Sequence, residues 1–149
     1  MDTIPTATDS ADARAGILQS EFHGHCFACS PGNAHGLGLV FHSNPNGITS
    51  VTWRPSPVFQ SYDGRIHGGI LATLIDCSMV HVLFALGIAG VTAELTVRYH
   101  HPVSLDADVE VSAWLEGKKH GVWSLCAEAH QKGRMAAKAR AKFMAMPGA

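Results

Sequence analysis

The sequence predicts an α+β domain in which one long central helix is wrapped by a mostly antiparallel β-sheet. Three observations carry this. From Gly68 to about Leu86 the chain is apolar nearly all round, broken only by Thr73, Asp76, Ser78 and His81. Some twenty such residues are too many for a strand, and a helix apolar on every side is a buried one. After it, four strand-like segments are divided by turn signals at near-regular spacing, and one helix against several strands makes an α+β layer architecture.

The elements follow in order. Residues 1–20 are polar and alanine-rich and read as a flexible lead, with at most a short helix around Asp12–Ser20. A single domain is expected over 21–146, since 149 residues can bury one core without staples. Phe22 to Gly36 is rich in turn residues. Leu37–His42 and Gly47–Arg54 flank Asn44-Pro45-Asn46-Gly47, which predicts a hairpin whose second strand Pro55 and Pro57 end. Gly87 and Gly90 stop the helix. Turns at Pro102–Asp106, Gly117–Gly121 and Gln131–Arg134 separate strands over Val91–His101, Ala107–Leu115, Val122–His130 and Met135–Met144. The last segment has strong helix propensity. Yet Lys138, Arg140 and Lys142 alternate with Ala137, Ala139, Ala141 and Phe143, so pattern outweighs propensity and an edge-accessible strand is expected.

Composition narrows the function. A net charge of −1 gives no global footprint for nucleic acid. No run reaches the ~18 consecutive apolar residues of a membrane helix. The first twenty residues carry no signal-peptide pattern, and Asp2, Asp9 and Asp12 argue against a transit peptide, so a cytoplasmic protein is expected. Charged residues make up only 15% of the chain, which points to apolar surface covered by another subunit.

The chemistry concentrates in His67-Gly68-Gly69 and Asp76. Glycines are poor helix-interior residues, but at a helix start their bare N–H groups can approach a ligand closely. The helix dipole favours negative charge there, which is the physics of an oxyanion hole. Asp76 is the only acid between Gly64 and Gly90. A lone carboxylate in so apolar a helix is costly unless paired, and it can attack a carbonyl or activate water. From Gly68 to Asp76 is about 12 Å along the axis at ~1.5 Å per residue. One carbonyl carbon cannot touch both groups on one helix, whereas an antiparallel partner helix would bring them together.

The order of elements, with Asp76 nine residues after His67, resembles the hotdog-fold acyl-CoA thioesterases, and most of all their PaaI-type branch. Cys26-Phe27-Ala28-Cys29 followed by Asn33 and Gly36-Leu37, Gln60-Ser61-Tyr62, and Leu95-Thr96-Val97-Arg98-Tyr99 leading to Pro102-Val103 agree with it. The resemblance covers roughly residues 22–145. It implies a homodimer or homotetramer with active sites at the subunit interface, an acyl-CoA substrate, no cofactor, and no nucleic-acid or membrane partner. It also implies hydrolysis to CoA and a free carboxylic acid, with Asp76 as general base or nucleophile and the Gly68 N–H as oxyanion donor.

For the remaining residues, Gly69 is expected to shape the turn and His67 to fix the loop through a hydrogen bond. Where the family often carries Asn or Gln against the carbonyl or water, this chain has Ser61, with Gln60 adjacent and pointing elsewhere in a regular strand. Thr92 matches a Ser/Thr that positions water in some relatives. Phe59, Ile70, Leu74 and Met79 are candidates for the acyl pocket, and Arg98, Lys118, Lys119 and Arg134 for CoA phosphates. Cys26 and Cys29, with His23, His25 and His35 close by, have zinc-like spacing but read as a structural turn, so no metal is expected. Cys77 and Cys126 read as small core residues. Two alternatives stand beside hydrolysis: a non-catalytic acyl-CoA-binding or regulatory module, and an enoyl-CoA hydratase.

Overall fold

The computed structural model describes residues 7–148, with side chains from residue 11 onward. Helix α1 (Ala7–Phe22) is followed by strands β1 (His42–Ser43) and β2 (Thr49–Trp53), helix α2 (Gly68–Ala85), and strands β3 (Gly90–Tyr99), β4 (Val109–Lys119), β5 (Val122–Gln131) and β6 (Arg134–Ala145). The strands form one six-stranded sheet in the order β1-β2-β4-β5-β6-β3, antiparallel at every pairing.

The sheet curls around α2 because its inner face is apolar and α2 is apolar on all sides. Val109, Val111 and Ala113 of β4 and Ala137, Ala139, Ala141 and Phe143 of β6 point inward and are buried, while Lys138, Arg140 and Lys142 face out. Leu74, Ile75, Met79 and Leu83 of α2 fill the space against them. By length and hydropathy α2 would pass as a membrane span, but most of it is buried within the fold, as a core helix is.

The two long hairpins close with two-residue loops, His120-Gly121 and Lys132-Gly133. All four residues have positive φ, between 52° and 76°, the type I′ geometry that matches strand twist. β4 runs on past the expected stop at Leu115, because Gly117 sits at a register shift instead of a turn.

Three expectations need correction. Residues 7–22 form a 16-residue helix in place of a loose lead. It docks on α2, Arg14 Nε donating to the Ala85 carbonyl at 2.8 Å. Residues 1–6 of the expected lead lie outside the described residues. The strand expected over Leu37–His42 shrinks to His42–Ser43, because the Leu37 and Leu39 N–H groups bond to the Phe27 and Ala28 carbonyls of the cysteine loop instead of β2. That contact leaves no room for a side chain at Gly36, where a Cβ would stand 2.4 Å from the Phe27 oxygen. Finally, β6 is not an edge strand. It lies between β5 and β3, and β3 is the edge.

Candidate active site

The start of α2 is built as a capped turn. His67 is the N-cap, with extended backbone (φ −58°, ψ 131°), and its Nδ1 accepts the Gly69 N–H at 2.9 Å. An accepting nitrogen carries no proton, which puts the ring proton on Nε2. With Gly69 satisfied by the cap, Gly68 occupies the first helical position, where an N–H has no intrahelical partner. Tyr99, at the end of β3, donates its hydroxyl to the Gly68 carbonyl at 2.6 Å and pins the turn to the sheet. Nothing in the sequence marked Tyr99 for this, since the contact spans 31 residues.

Ahead of the turn, Gln60 Oε1 accepts the Gly64 N–H at 3.2 Å, so this side chain braces the loop. Ser61 is exposed and lines a cleft of about 310 Å³ together with Gly68, Leu71, Tyr99 and His101.

Asp76 lies two turns further along α2, half-buried. Thr92 of β3 donates its hydroxyl to Asp76 Oδ1 at 2.6 Å. Burial pushes the Asp76 carboxyl above the usual carboxylate range, and the Thr92 hydrogen bond pulls it back in part. A carboxylate poised in this way can act as a base closer to neutral pH than an ordinary aspartate.

Other candidates separate from this cleft. Leu74 and Met79 have no exposure and belong to the core, whereas Phe59 and Ile70 are half-buried. Lys118 stacks over Trp123, 4.6 Å from the ring centroid, and Arg98 lines a hollow on the outer sheet face with Lys138 and Arg140. Arg134 borders His101 in a separate polar cleft near the Ser61 cleft. His25 and His35 are exposed, and the Asn33 side chain spends itself on the turn between them. The thiols of Cys29 and Cys77 come together with His23 and His81, a grouping that could hold a metal ion. The Cys77 and His81 parts were missed because their partners lie about fifty residues away along the chain.

The sequence profile of the thioesterase superfamily matches residues 63–137, which hold the capped turn, all of α2 and the strand β3 that carries Thr92 and Tyr99. The chain belongs to this superfamily. It is similar to the bovine (Bos taurus) acyl-coenzyme A thioesterase THEM4, at 32% identity over 90 residues, which is 56% of this chain. The chain spans only 37% of that relative's length. It also superposes on the PaaI protein of the E. coli phenylacetic acid degradation operon with a TM-score of 0.78, covering 96% of this chain and 98% of that one at 17% identity. A hypothetical thioesterase protein of Streptococcus pneumoniae TIGR4, solved with coenzyme A, superposes with a TM-score of 0.67 at 23% identity, over 72% and 85% of the two chains. The fold shared with these solved structures is the α+β hotdog fold, a long helix wrapped by an antiparallel sheet.

Proposed function

We propose that this protein is an acyl-CoA thioesterase in which Asp76 activates water, or attacks directly, at the thioester carbonyl. The observation that carries the reading is the Asp76–Thr92 pair: a half-buried carboxylate, raised in pKa by burial and oriented by one short hydrogen bond. The Gly68 N–H at the helix start receives the developing oxyanion. His67 and Tyr99 hold that N–H in place from either side without touching the reacting atoms. With water as nucleophile, Asp76 takes its proton, and the tetrahedral intermediate collapses to a carboxylic acid and the CoA thiolate, which is protonated to the free thiol. With Asp76 as nucleophile, loss of the thiolate leaves an acyl-aspartyl anhydride that water then hydrolyses to the acid and free Asp76. The relatives' activity and the coenzyme A bound to the S. pneumoniae neighbour support an acyl-CoA substrate.

The site is shared between two copies of the chain. Gly68 and Asp76 stand about 12 Å apart along one axis, and the isolated chain leaves a matching surface open. Gly69, Ala72, Thr73 and Asp76 form a partly exposed stripe at helical spacing on α2. Beside it, β3 is a ten-residue edge strand with both faces largely exposed, an arrangement that proteins normally cover. An antiparallel partner α2, with β3 paired to its own copy, covers both and sets Gly68 of one protomer against Asp76 of the other.

The test is release of free thiol from a panel of aromatic and aliphatic acyl-CoAs by wild type and Asp76→Asn. Turnover that falls by at least ~100-fold in the variant supports the reading. Turnover untouched by the change would refute the role of Asp76. Binding of every acyl-CoA without thiol release would make the protein an acyl-CoA-binding module, and loss of the conjugated double bond of an enoyl-CoA would make it a hydratase.

A further inference from the structure

Behind the carboxylate side of α2 lies a second cluster that the hydrolytic reading does not use. Cys77 and His81 are four residues apart on α2 and therefore share one face. Against them stand His23, just past the end of α1, and Cys29, in the turn-rich segment that follows. One ligand atom from each of these four residues lies within 4.8 Å of every other. His23 Nδ1 and Cys29 Sγ are already 3.4 Å apart. Tetrahedral zinc with Zn–S of about 2.3 Å and Zn–N of about 2.0–2.1 Å separates its ligand atoms by roughly 3.3–3.8 Å. The cluster needs only a small contraction to reach that geometry.

A second observation points to a ligand independently of the spacing. His81 is 2% exposed, and its Nε2 has no hydrogen-bond partner among the described residues. An orphaned buried nitrogen is expensive unless something binds it. Its ring is held by Phe41, stacked at 4.1 Å, and by the edge of Phe84, which also packs against His23. Among the described residues no carboxylate belongs to the group, so its donors are thiolates and imidazoles, a combination that selects zinc over magnesium or calcium. A cleft of about 220 Å³ lined by Gln19, Cys29, Phe41 and His81 gives an ion a way in.

We propose that His23, Cys29, Cys77 and His81 bind one structural zinc ion. Two thiolates and two neutral imidazoles give a neutral complex, and two thiol protons leave for solvent as it forms. Four protein ligands leave no open position, so the ion does no chemistry on substrate. It ties α1 and the cysteine loop, both remote in sequence, to the helix that carries Asp76. Cys26 borders Cys77 but lies outside the four-atom group.

The test is metal content and spectroscopy on the full chain. Wild type purified from zinc-supplemented culture should carry about one zinc per chain, as a closed four-ligand site requires. Replacement by cobalt(II) should give visible bands of tetrahedral intensity and a thiolate-to-cobalt charge-transfer band. Cys77→Ala and His81→Ala should lose the metal by at least ~10-fold, and Cys26→Ala should keep it. Should either ligand variant fail to fold, the wild-type cobalt spectrum decides alone. Absence of zinc together with absence of the thiolate–cobalt band would overturn the proposal. So would full metal retention in folded Cys77→Ala and His81→Ala, or a disulfide joining any two of Cys26, Cys29 and Cys77.

Discussion

Asp76 and Cys77 are neighbours on α2, yet their side chains serve two unlike environments. Asp76 faces the partly open stripe of the helix beside an edge strand, where a single hydroxyl holds it. Cys77, about 100° further round the helix, is sealed among two imidazoles and other thiols under α1. One side is unfinished in the isolated chain and suited to a second copy and a substrate. The other is closed by the chain's own amino-terminal segment and suited to an ion. The comparison teaches that a helix apolar all round can still divide its few polar residues between separate tasks, each set by what packs against that face.

The largest way to break the open side is to remove the oxyanion donor. Gly68→Pro deletes only an N–H at a first helical position, where proline is well tolerated, and His67 already has the extended backbone that a residue before proline requires. Thiol release should fall by about 100- to 1000-fold with the fold intact by circular dichroism. Gly68→Ala keeps the N–H and places its Cβ in ordinary contact with the Tyr99 ring, 3.5 Å away, so it should retain most activity.

A smaller effect sharpens the role of the hydroxyl. Thr92→Val removes the hydrogen bond that lowers the Asp76 pKa, so the carboxyl should rise further. Asp76 must be ionised to act, hence activity rises with pH through its pKa. The acid limb of the kcat/KM profile should therefore lie above that of an ordinary aspartate in wild type and move to higher pH in Thr92→Val. Near neutral pH the variant should lose about 10- to 100-fold, the size of a hydrogen bond to a charged group. Stability runs the opposite way. Folding raises this pKa, so the protonated form is the one the fold prefers. That contribution is fully present below the ordinary aspartate pKa and is lost as pH rises through the raised value. Asp76→Asn should then be at least as stable as wild type at neutral pH, with the advantage shrinking in acid, as thermal melts at several pH values will show.

The smallest effect falls on the cap. His67→Ala loses the side-chain acceptor for the Gly69 N–H, worth about 1 kcal/mol of stability, or roughly 2–4 °C in Tm for a chain near this size. Loss of thiol release beyond what the shifted turn explains would make His67 a participant in the chemistry and not a support.

Much of this was legible in the sequence, and for local reasons. The apolar run from Gly68, the glycine stop and the alternation in β4 and β6 are short-range patterns, and the structure follows them to within a few residues. Asp76 stood out as a lone acid in an apolar helix. What failed was non-local. Whether Lys138–Lys142 alternation belongs to an edge or an interior strand depends on β3 pairing beyond it, and a strand with one solvated face looks the same either way. The amino-terminal helix has little amphipathic signal of its own and owes its place to contacts with α2. The zinc-like spacing around Cys26 and Cys29 was visible, but His25 and His35 are exposed, and the partners that complete the group, Cys77 and His81, sit on an element read as plain core.

The central claim is that each site takes its oxyanion donor from one protomer and its carboxylate from the other. Co-expressing Asp76→Asn and Gly68→Pro chains in equal amounts and measuring thiol release tests it directly. Random pairing makes half of the dimers mixed, each with one site that joins an intact Gly68 to an intact Asp76, so about a quarter of wild-type activity should return. Activity no higher than the average of the two variants measured separately would contradict the shared site and return both groups to a single chain.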